Sequence, residues 1–393
     1  MKIKYLGEKV IEGLIYASGW ITTFVVVVIV IFLFREGSGL FNEKPLEEGY
    51  GIVINTENKI REITAQEIRQ IFEKDITNWK ELGGADEKIV IFSLSTIDKF
   101  FTEKDLGESF SLLPEKIKEF VQENKGVIAV FPEKYLGTSL VHLEIAPISF
   151  WSFISGKDWY PTATPSPQLG VLAIILGTLW VSLGAMLFAL PIGIGVAIYM
   201  AEIAEKRVRE LLKPFIELLA GIPSVVFGFF GLVYIVPLLQ NLFHLPVGET
   251  ALAGSILLGI MALPTIITLS EDAIRSVPKE LKEASFALGA NHWQSIARVI
   301  LPYAKSGVIS ACILGIGRAV GETMAVLMVT GNAAVIPTSF LEPVRTITAT
   351  IASELGEAQQ GGMHYEALFL LGSILFIITF GINWVAELVT KKK

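Results

Sequence analysis

Six long apolar segments constrain this chain more than any other feature, because uncharged runs of such length lose their water only inside a lipid bilayer. A helix rises ~1.5 Å per residue, so roughly 20 apolar residues cross a hydrocarbon layer about 30 Å thick. The segments run approximately over residues 17–35, 170–202, 214–240, 250–272, 304–330 and 366–388. From Trp20 to Phe34 hardly any polar group interrupts the first of them. Hydrophobic residues make up 52% of the 393-residue chain and charged residues only 18%, which excludes an ordinary soluble protein of this size. The sequence therefore predicts an all-α polytopic membrane protein with six transmembrane helices. The first run lacks a small-residue cleavage site and predicts a retained anchor rather than a signal peptide. Pro191 predicts a kink, or an early end, in the long second segment.

Cationic loops resist translocation, so the distribution of Lys and Arg predicts orientation. Lys2, Lys4 and Lys9 assign residues 1–16 to the cytoplasm. With six spans, Lys206, Arg207, Arg209 and Lys213, then Arg275, Lys279, Lys282 and Arg298, then the tail Lys391 to Lys393, fall on the same side. The short loops on the opposite side carry almost no positive charge, Arg345 being the exception. The expectation is a multi-pass protein of the cell membrane, surrounded by lipid, with both termini cytoplasmic. A formal charge of −7 identifies no partner, and the absence of a basic patch argues against nucleic acid. Cys312, the single cysteine, excludes an intrachain disulfide and reads as a packing residue.

The polar stretch 45–150, between spans one and two, falls outside the cytoplasm in this topology. Thr64 and Glu67 predict a capping box, and Ile63 with Ile68 a hydrophobic staple, opening a helix that runs to about Lys74. β-prone runs at Gly51–Asn55, Lys88–Phe92 and Gly126–Phe131 alternate with this helix and a second near Pro114 to Asn124. The pattern predicts a small extracytoplasmic α/β domain. Residues 160–168, rich in proline, predict a stiff linker to a membrane domain over 170–390. No internal repeat is visible.

Within the membrane segments, Gly221-Ile-Pro-Ser224 and Ala262-Leu-Pro264 predict broken or closely packed helices, since proline removes a backbone bond that lipid cannot replace. Arg318 and Glu322 lie four residues apart in the fifth span, so on a helix they share a face and can pair. An isolated Arg at a bilayer centre costs about 2.5–3.5 kcal/mol even on the smaller scales, so this face must look into protein or water. The pair is either a lock on the bundle or a switchable contact for an oxyanion, with Arg318 as a forked donor. Gly317 and Gly321 form a Gly-x-x-x-Gly face suited to close approach of a second helix. No phosphate-binding loop of the Gly-x-x-x-x-Gly-Lys-Ser/Thr type occurs, so ATP hydrolysis is not expected of this chain. His142, His244, His292 and His364 lack metal-ligand spacing, and no metal or cofactor is expected. The loop 276–302 predicts a helix over Lys279 to Leu288, a break at Gly289-Ala-Asn291, and a short helix from His292 to Leu301 ahead of Pro302. On its own it could lie on the membrane surface.

That loop, Glu283-Ala-Ser-Phe-Ala-Leu-Gly-Ala-Asn-His-Trp-Gln-Ser-Ile-Ala-Arg-Val-Ile-Leu-Pro302, closely resembles the Glu-Ala-Ala…Gly…Leu-Pro coupling loop of ABC importer permeases, with Ser285 replacing the second alanine. Phe153-Ile-Ser-Gly-Lys-Asp-Trp-Tyr-Pro161, Glu217-Leu-Leu-Ala-Gly-Ile-Pro-Ser-Val-Val226 and Gly315-Ile-Gly-Arg-Ala-Val-Gly-Glu-Thr-Met-Ala325 are similar to segments of the phosphate transport permease family (PstC-like), a binding-protein-dependent transport system inner membrane component. The resemblance implies a six-helix permease of the MetI-like type that moves inorganic phosphate, and no enzyme activity of its own. It assigns Arg318, Glu322 and Ser224 to translocation, and Glu283, Ala284 and Gly289 to coupling with an ATPase. It implies four kinds of companion: a second permease (PstA-like), an ATPase dimer (PstB-like) that holds ATP and Mg, an external phosphate-binding protein (PstS-like), and lipid. Ile63-Thr-Ala-Gln-Glu-Ile-Arg-Gln-Ile-Phe72, Ile76-Thr-Asn-Trp-Lys-Glu-Leu-Gly-Gly84 and Asn124-Lys-Gly-Val-Ile-Ala-Val-Phe131 resemble one lobe of such a binding protein. Its anion-binding Arg…Ser-Gly-Thr segment is not recognisable near Phe92 to Phe101, which implies docking or gating rather than independent binding. Two other readings stay open: a membrane-anchored phosphate sensor, and an ion-coupled transporter with Glu322 as its proton site.

Overall fold

The computed structural model describes residues 2–391 apart from 48, 108, 109 and 138. Its helices are α1 (Lys2–Ser38), α2 (Ala65–Glu73), α3 (Glu103–Leu106), α4 (Leu113–Glu123), α5 (Phe150–Ser155), α6 (Leu172–Ile198), α7 (Lys206–Gly221), α8 (Ser224–Phe230), α9 (Val236–Phe243), α10 (Ala251–Arg275), α11 (Lys279–Ala287), α12 (His292–Ser295), α13 (Leu301–Gly321), α14 (Met324–Val329), α15 (Ile347–Glu354) and α16 (Met363–Lys391). Its strands are β1 (Tyr50–Ile54), β2 (Glu62–Ile63), β3 (Val90–Ser93), β4 (Val127–Pro132), β5 (Val141–His142), β6 (Glu144–Ile145), β7 (Trp159–Tyr160) and β8 (Gln168–Leu169). The chain divides into two compact units: Met1–Gly37 with Val171–Ala358 and Leu368–Lys393, and Ser38–Gly170 with Gln359–Ala367.

The first unit is helical. Among the described residues, six helical stretches are long and apolar enough to cross a membrane: Ile11–Phe41, Leu172–Ile203, Ser224–Phe243, Ala251–Arg275, His292–Gly321 and Met363–Leu388. α6, α10 and α13 pack tightly because glycine stands where they touch. A Cβ on Gly259 would come within 2.6 Å of Phe188, and one on Gly315 within 2.7 Å of Ile266. Val181, Ala185, Leu257, Leu258, Met261 and Ala319 join one buried core.

Two boundaries differ from the sequence expectation, and of the two alternatives at Pro191 the early end is not taken. The third span begins at Ser224 rather than near residue 214, because Ile222 turns extended before Pro223 and leaves α7 as a separate amphipathic helix. α6 runs on through Pro191. Likewise no stop occurs at Pro302: a π turn over Ile296–Ile300 widens the helix just ahead of it and absorbs the clash between the ring and the preceding turn.

The second unit is a four-stranded sheet in the order β3-β4-β1-β5, with β1 antiparallel to β4 and β3 parallel to it. Alternation along β1 sends Ile52 and Ile54 to one face, with Ile68, Ile71 and Trp79, and Val53 to the other, with Ile117, Val121 and Phe131. Thr64 and Glu67 make the reciprocal capping box at the start of α2. The Pro-rich segment is a closed loop rather than an extended linker. Its ends pair as β7 with β8, and Ser166 Oγ donates to the Pro45 carbonyl at 2.6 Å, so tertiary bonds override the polyproline preference.

Candidate functional site

Arg318 occupies the last turn of α13 and lies against the middle of α10, where its Nη1 donates to Thr265 Oγ1 at 3.4 Å. Glu322 is not on the helix. α13 ends at Gly321, and Glu322 has the extended dihedrals φ −72° and ψ 136°. Its carboxylate accepts from the Thr323 amide at 3.2 Å, and its carbonyl accepts from Thr348 Oγ1 at 2.7 Å. Among the described residues no ion pair joins Arg318 to Glu322, which corrects the one-face pairing read from their spacing. Both side chains are half-buried. The guanidinium is tolerated at this depth for a second reason: it sits at the C-terminal, negative end of a helix dipole.

Ser224 is the first residue of α8 and half-buried. α8 packs on α14, where a Cβ on Gly228 would come within 2.5 Å of Met328 Sδ and 3.4 Å of Ala325 Cα. Two interrupted helices thus lie side by side, one broken before Pro223 and the other at Glu322. Gly317 and Gly321 have nothing within 4 Å of an added Cβ, so among the described residues no helix packs closely on these two glycines. Close packing falls instead to Gly315, Gly259, Gly193 and Gly184, which spacing alone did not single out.

The segment after α14 folds back among the spans. The Ile347 amide donates to Thr178 Oγ1 at 2.9 Å, and a Cβ on Gly177 would stand 2.3 Å from the Arg345 carbonyl oxygen. Since Thr178 lies about two turns inside α6, α15 begins within the bundle. Arg345 pairs with Glu354 at 2.6 Å.

At the opposite ends of α10 and α13, α11 and α12 form a helical elbow. Gly289 turns the chain with φ +82°, and Asn291 with Gln294 caps α12 through a reciprocal box. Inside the elbow, Ser285 and Ser295 share a buried hydrogen bond of 2.6 Å. Glu283, Ala284 and Gly289 are exposed, as are the apolar Phe286 and Trp293, and Leu288 is 90% exposed. Lys282 bonds the carboxylate of Glu202 at the end of α6, and His292 Nε2 lies 3.1 Å from the Glu202 carbonyl. Residues this far apart in sequence gave no signal for that contact. Nearby, Glu271 is 1% exposed and lies between Lys213 at 3.5 Å and Arg275 at 3.3 Å, tying α7 to α10.

Residues 193–393 match the family described as binding-protein-dependent transport system inner membrane component, which covers half of the chain. The chain belongs to this family. It is therefore a membrane permease of the ABC importer class and not an enzyme. Residues 39–151 match the PBP superfamily domain. A probable ABC transporter permease protein, YqgH of Bacillus subtilis, is 41% identical over 236 residues, 60% of this chain and 75% of the relative. The phosphate transport system permease protein PstC of Mesorhizobium japonicum is 39% identical over 256 residues, 60% and 77% of the two chains. Among solved structures, an inward-facing MetNI methionine ABC transporter aligns with 56% of this chain and 94% of its own, at TM-score 0.46 and 20% identity. A putative phosphate ABC transporter substrate-binding protein from Clostridium perfringens aligns with 27% of this permease and 49% of itself, at TM-score 0.20 and 26% identity.

Proposed function

We propose that this permease moves inorganic phosphate inward, driven by ATP hydrolysis in a partner subunit. The observation that carries the reading is Arg318, a permanent cation in the last turn of an apolar span, against the middle of α10, with one weak hydroxyl partner among the described residues and no paired carboxylate. A guanidinium in that state offers forked donors that suit a tetrahedral oxyanion, and removing water from the site strengthens the contact. The 39% identity to a phosphate permease supports phosphate among the oxyanions. Glu322 and Ser224 flank the route, Glu322 as the competing anion that displaces the solute.

The elbow over α11 and α12 docks on the ATPase, with Leu288 and Phe286 entering its cleft and Glu283 at the rim. ATP and Mg reside there, in a dimer of ATPase subunits. A second permease of the same kind covers the open face at Gly317 and Gly321. The basic segments face the cytoplasm, which puts both termini inside and the α/β unit outside, where it docks or gates an external phosphate-binding protein. Its own capacity to bind an oxyanion is low on chemical grounds. The hydroxyls after β3 are already engaged, Ser93 Oγ with Ser95 Oγ at 2.9 Å and Thr96 Oγ1 with the Ile91 carbonyl at 3.2 Å.

The test is purification of the assembled complex and ATP-driven uptake of phosphate, sulfate and molybdate in proteoliposomes. Phosphate uptake that depends on ATP, and that Arg318→Ala or Glu283→Arg abolishes without loss of assembly, is the expected result. Full uptake in both variants, or uptake that follows a proton gradient without ATP, refutes it.

A further inference from the structure

We propose that Thr348 is the positioning residue for Glu322: its buried hydroxyl pins the backbone at residue 322 out of the helix and so keeps the Arg318 guanidinium free to bind solute. The inference rests on the role given above to Arg318. Local features only weaken the helix at this point, through glycine at 321 and the bonds of Thr323 to the Glu322 carboxylate and the Gly321 carbonyl, since Gly315-Ile-Gly-Arg-Ala-Val-Gly-Glu-Thr-Met-Ala325 contains no proline and continues into helical residues at Met324. An interrupted helix in an apolar layer survives only where its freed backbone groups find partners. The partner here is 26 residues away: Thr348 Oγ1 donates to the Glu322 carbonyl at 2.7 Å.

Thr348 is itself held in place. It is 7% exposed and lies in the first turn of α15, where the Thr346 hydroxyl caps the Ala349 amide and Thr178 Oγ1 receives the Ile347 amide. Thr178 in turn donates to the Ile174 carbonyl at 2.9 Å, so the anchor is α6. The consequence falls on the charges. With residue 322 extended, the Glu322 carboxylate turns to the Thr323 amide and Arg318 to Thr265. Were the helix continuous through Thr323, Glu322 would return to the Arg318 face four residues on, and the two would neutralise each other. Thr348 touches neither the solute nor the guanidinium in this scheme and acts only through the backbone of Glu322.

The experiment compares Thr348→Ser, which keeps the hydroxyl, with Thr348→Val, which keeps the shape and loses the donor, in the assembled complex. ATP-driven phosphate uptake should show KM raised about tenfold in Thr348→Val, the scale of one buried hydrogen bond, and near wild type in Thr348→Ser. ATPase turnover and thermal midpoint should be unchanged. In a Glu322→Gln background, where the side chain no longer neutralises Arg318, the Thr348→Val effect should shrink to less than twofold. Amide exchange at Thr323 reads the same event without transport: it should slow in Thr348→Val as the helix extends. Equal KM in the Val and wild-type proteins, a Val effect undiminished beside Glu322→Gln, or unaltered exchange at Thr323 each overturns the proposal. If the wild-type complex takes up no phosphate with ATP while Thr323 exchange slows as expected, the phosphate reading fails and the positioning of Glu322 stands.

Discussion

Replacement of Glu202 by glutamine deletes one charge where the elbow joins the bundle and leaves the shape intact. Glu202 is 7% exposed and Lys282 21% exposed, so water screens the contact only in part. A hydrogen bond to a charged group contributes about 1.5–3 kcal/mol, against ~1 kcal/mol for a neutral one. The amide retains an acceptor, so the loss is the difference, about 0.5–2 kcal/mol. That is a roughly two- to thirtyfold shift toward an elbow detached from α6. The bond from His292 to the Glu202 carbonyl, at 3.1 Å, survives the substitution and keeps the elbow folded nearby. An elbow still docked on the ATPase but loosened from α6 lets ATP turn over without moving the spans. The assay is phosphate taken up per ATP hydrolysed by the reconstituted complex. The ratio should fall more than twofold in Glu202→Gln with ATPase activity retained, and the exchange Glu202→Lys with Lys282→Glu should restore part of it. A ratio within twofold of wild type, with unchanged amide exchange over residues 279–295, refutes the argument that this contact transmits closure.

Gly177→Ala drives a Cβ to 2.3 Å from the Arg345 carbonyl, which must move by about 1 Å; overpacking of this kind costs about 1–3 kcal/mol, read as a lowered thermal midpoint of the purified protein. Trp79→Phe removes the indole donor that bonds the Gly126 carbonyl at 2.9 Å in the α/β unit; the carbonyl keeps its bond from the Val90 amide at 3.0 Å, so the loss is one hydrogen bond, about 0.5–1.5 kcal/mol, measured as lowered amide protection in β3 and β4. The Thr102 hydroxyl, and then the Thr102 amide, hold the Asp105 carboxyl below the usual carboxylate range. A depressed carboxylate gives stability that is full above the unfolded value and lost as pH falls through the folded one. Amide protection factors in α3, referred to intrinsic exchange at each pH, should therefore fall below about pH 4, with Asp105→Asn removing that step; an identical profile in the variant counts against the cap.

Local chemistry made much of the architecture legible. The capping box at Thr64 and Glu67 needs only a spacing of three residues, and β1, β3 and β4 stand out as short β-prone apolar runs within a handful of positions. Span length is a property of composition along the chain. What escaped depends on residues far apart. The helix at Gly321 stops because of Thr348, Lys282 finds Glu202 80 residues away, and Ser285 looked like a small stand-in for alanine until Ser295 came within 2.6 Å of it. The Pro-rich loop failed for the same reason: Ser166 and Pro45 are 121 residues apart. Arg318 and Glu322 were visible as charges in an apolar run, but their relation was misread, since a spacing of four means a shared face only while the helix continues.

That break decides how a charge is tolerated in this apolar helix. A continuous helix would leave Arg318 in a helix interior, with no terminal dipole to hold it, and the cheapest compensation would be Glu322 one turn away. The result would be a neutral pair with no reason to bind an anion from outside. Ending α13 at Gly321 puts Arg318 in the final turn, where the unsatisfied carbonyls favour a cation, while its forked donors stay available. The break is tolerated because Thr348, fixed through α15 to α6, supplies the missing donor, and the π turn Tyr199–Ile203 that continues α6 carries Glu202. One continuous helical stretch thus touches both the elbow proposed to dock on the ATPase and the segment that sets residue 322. Under that proposal, a displacement of α6 along its axis by even a fraction of a turn changes the Thr348 bond, and with it the proposed competition between Glu322 and solute for Arg318.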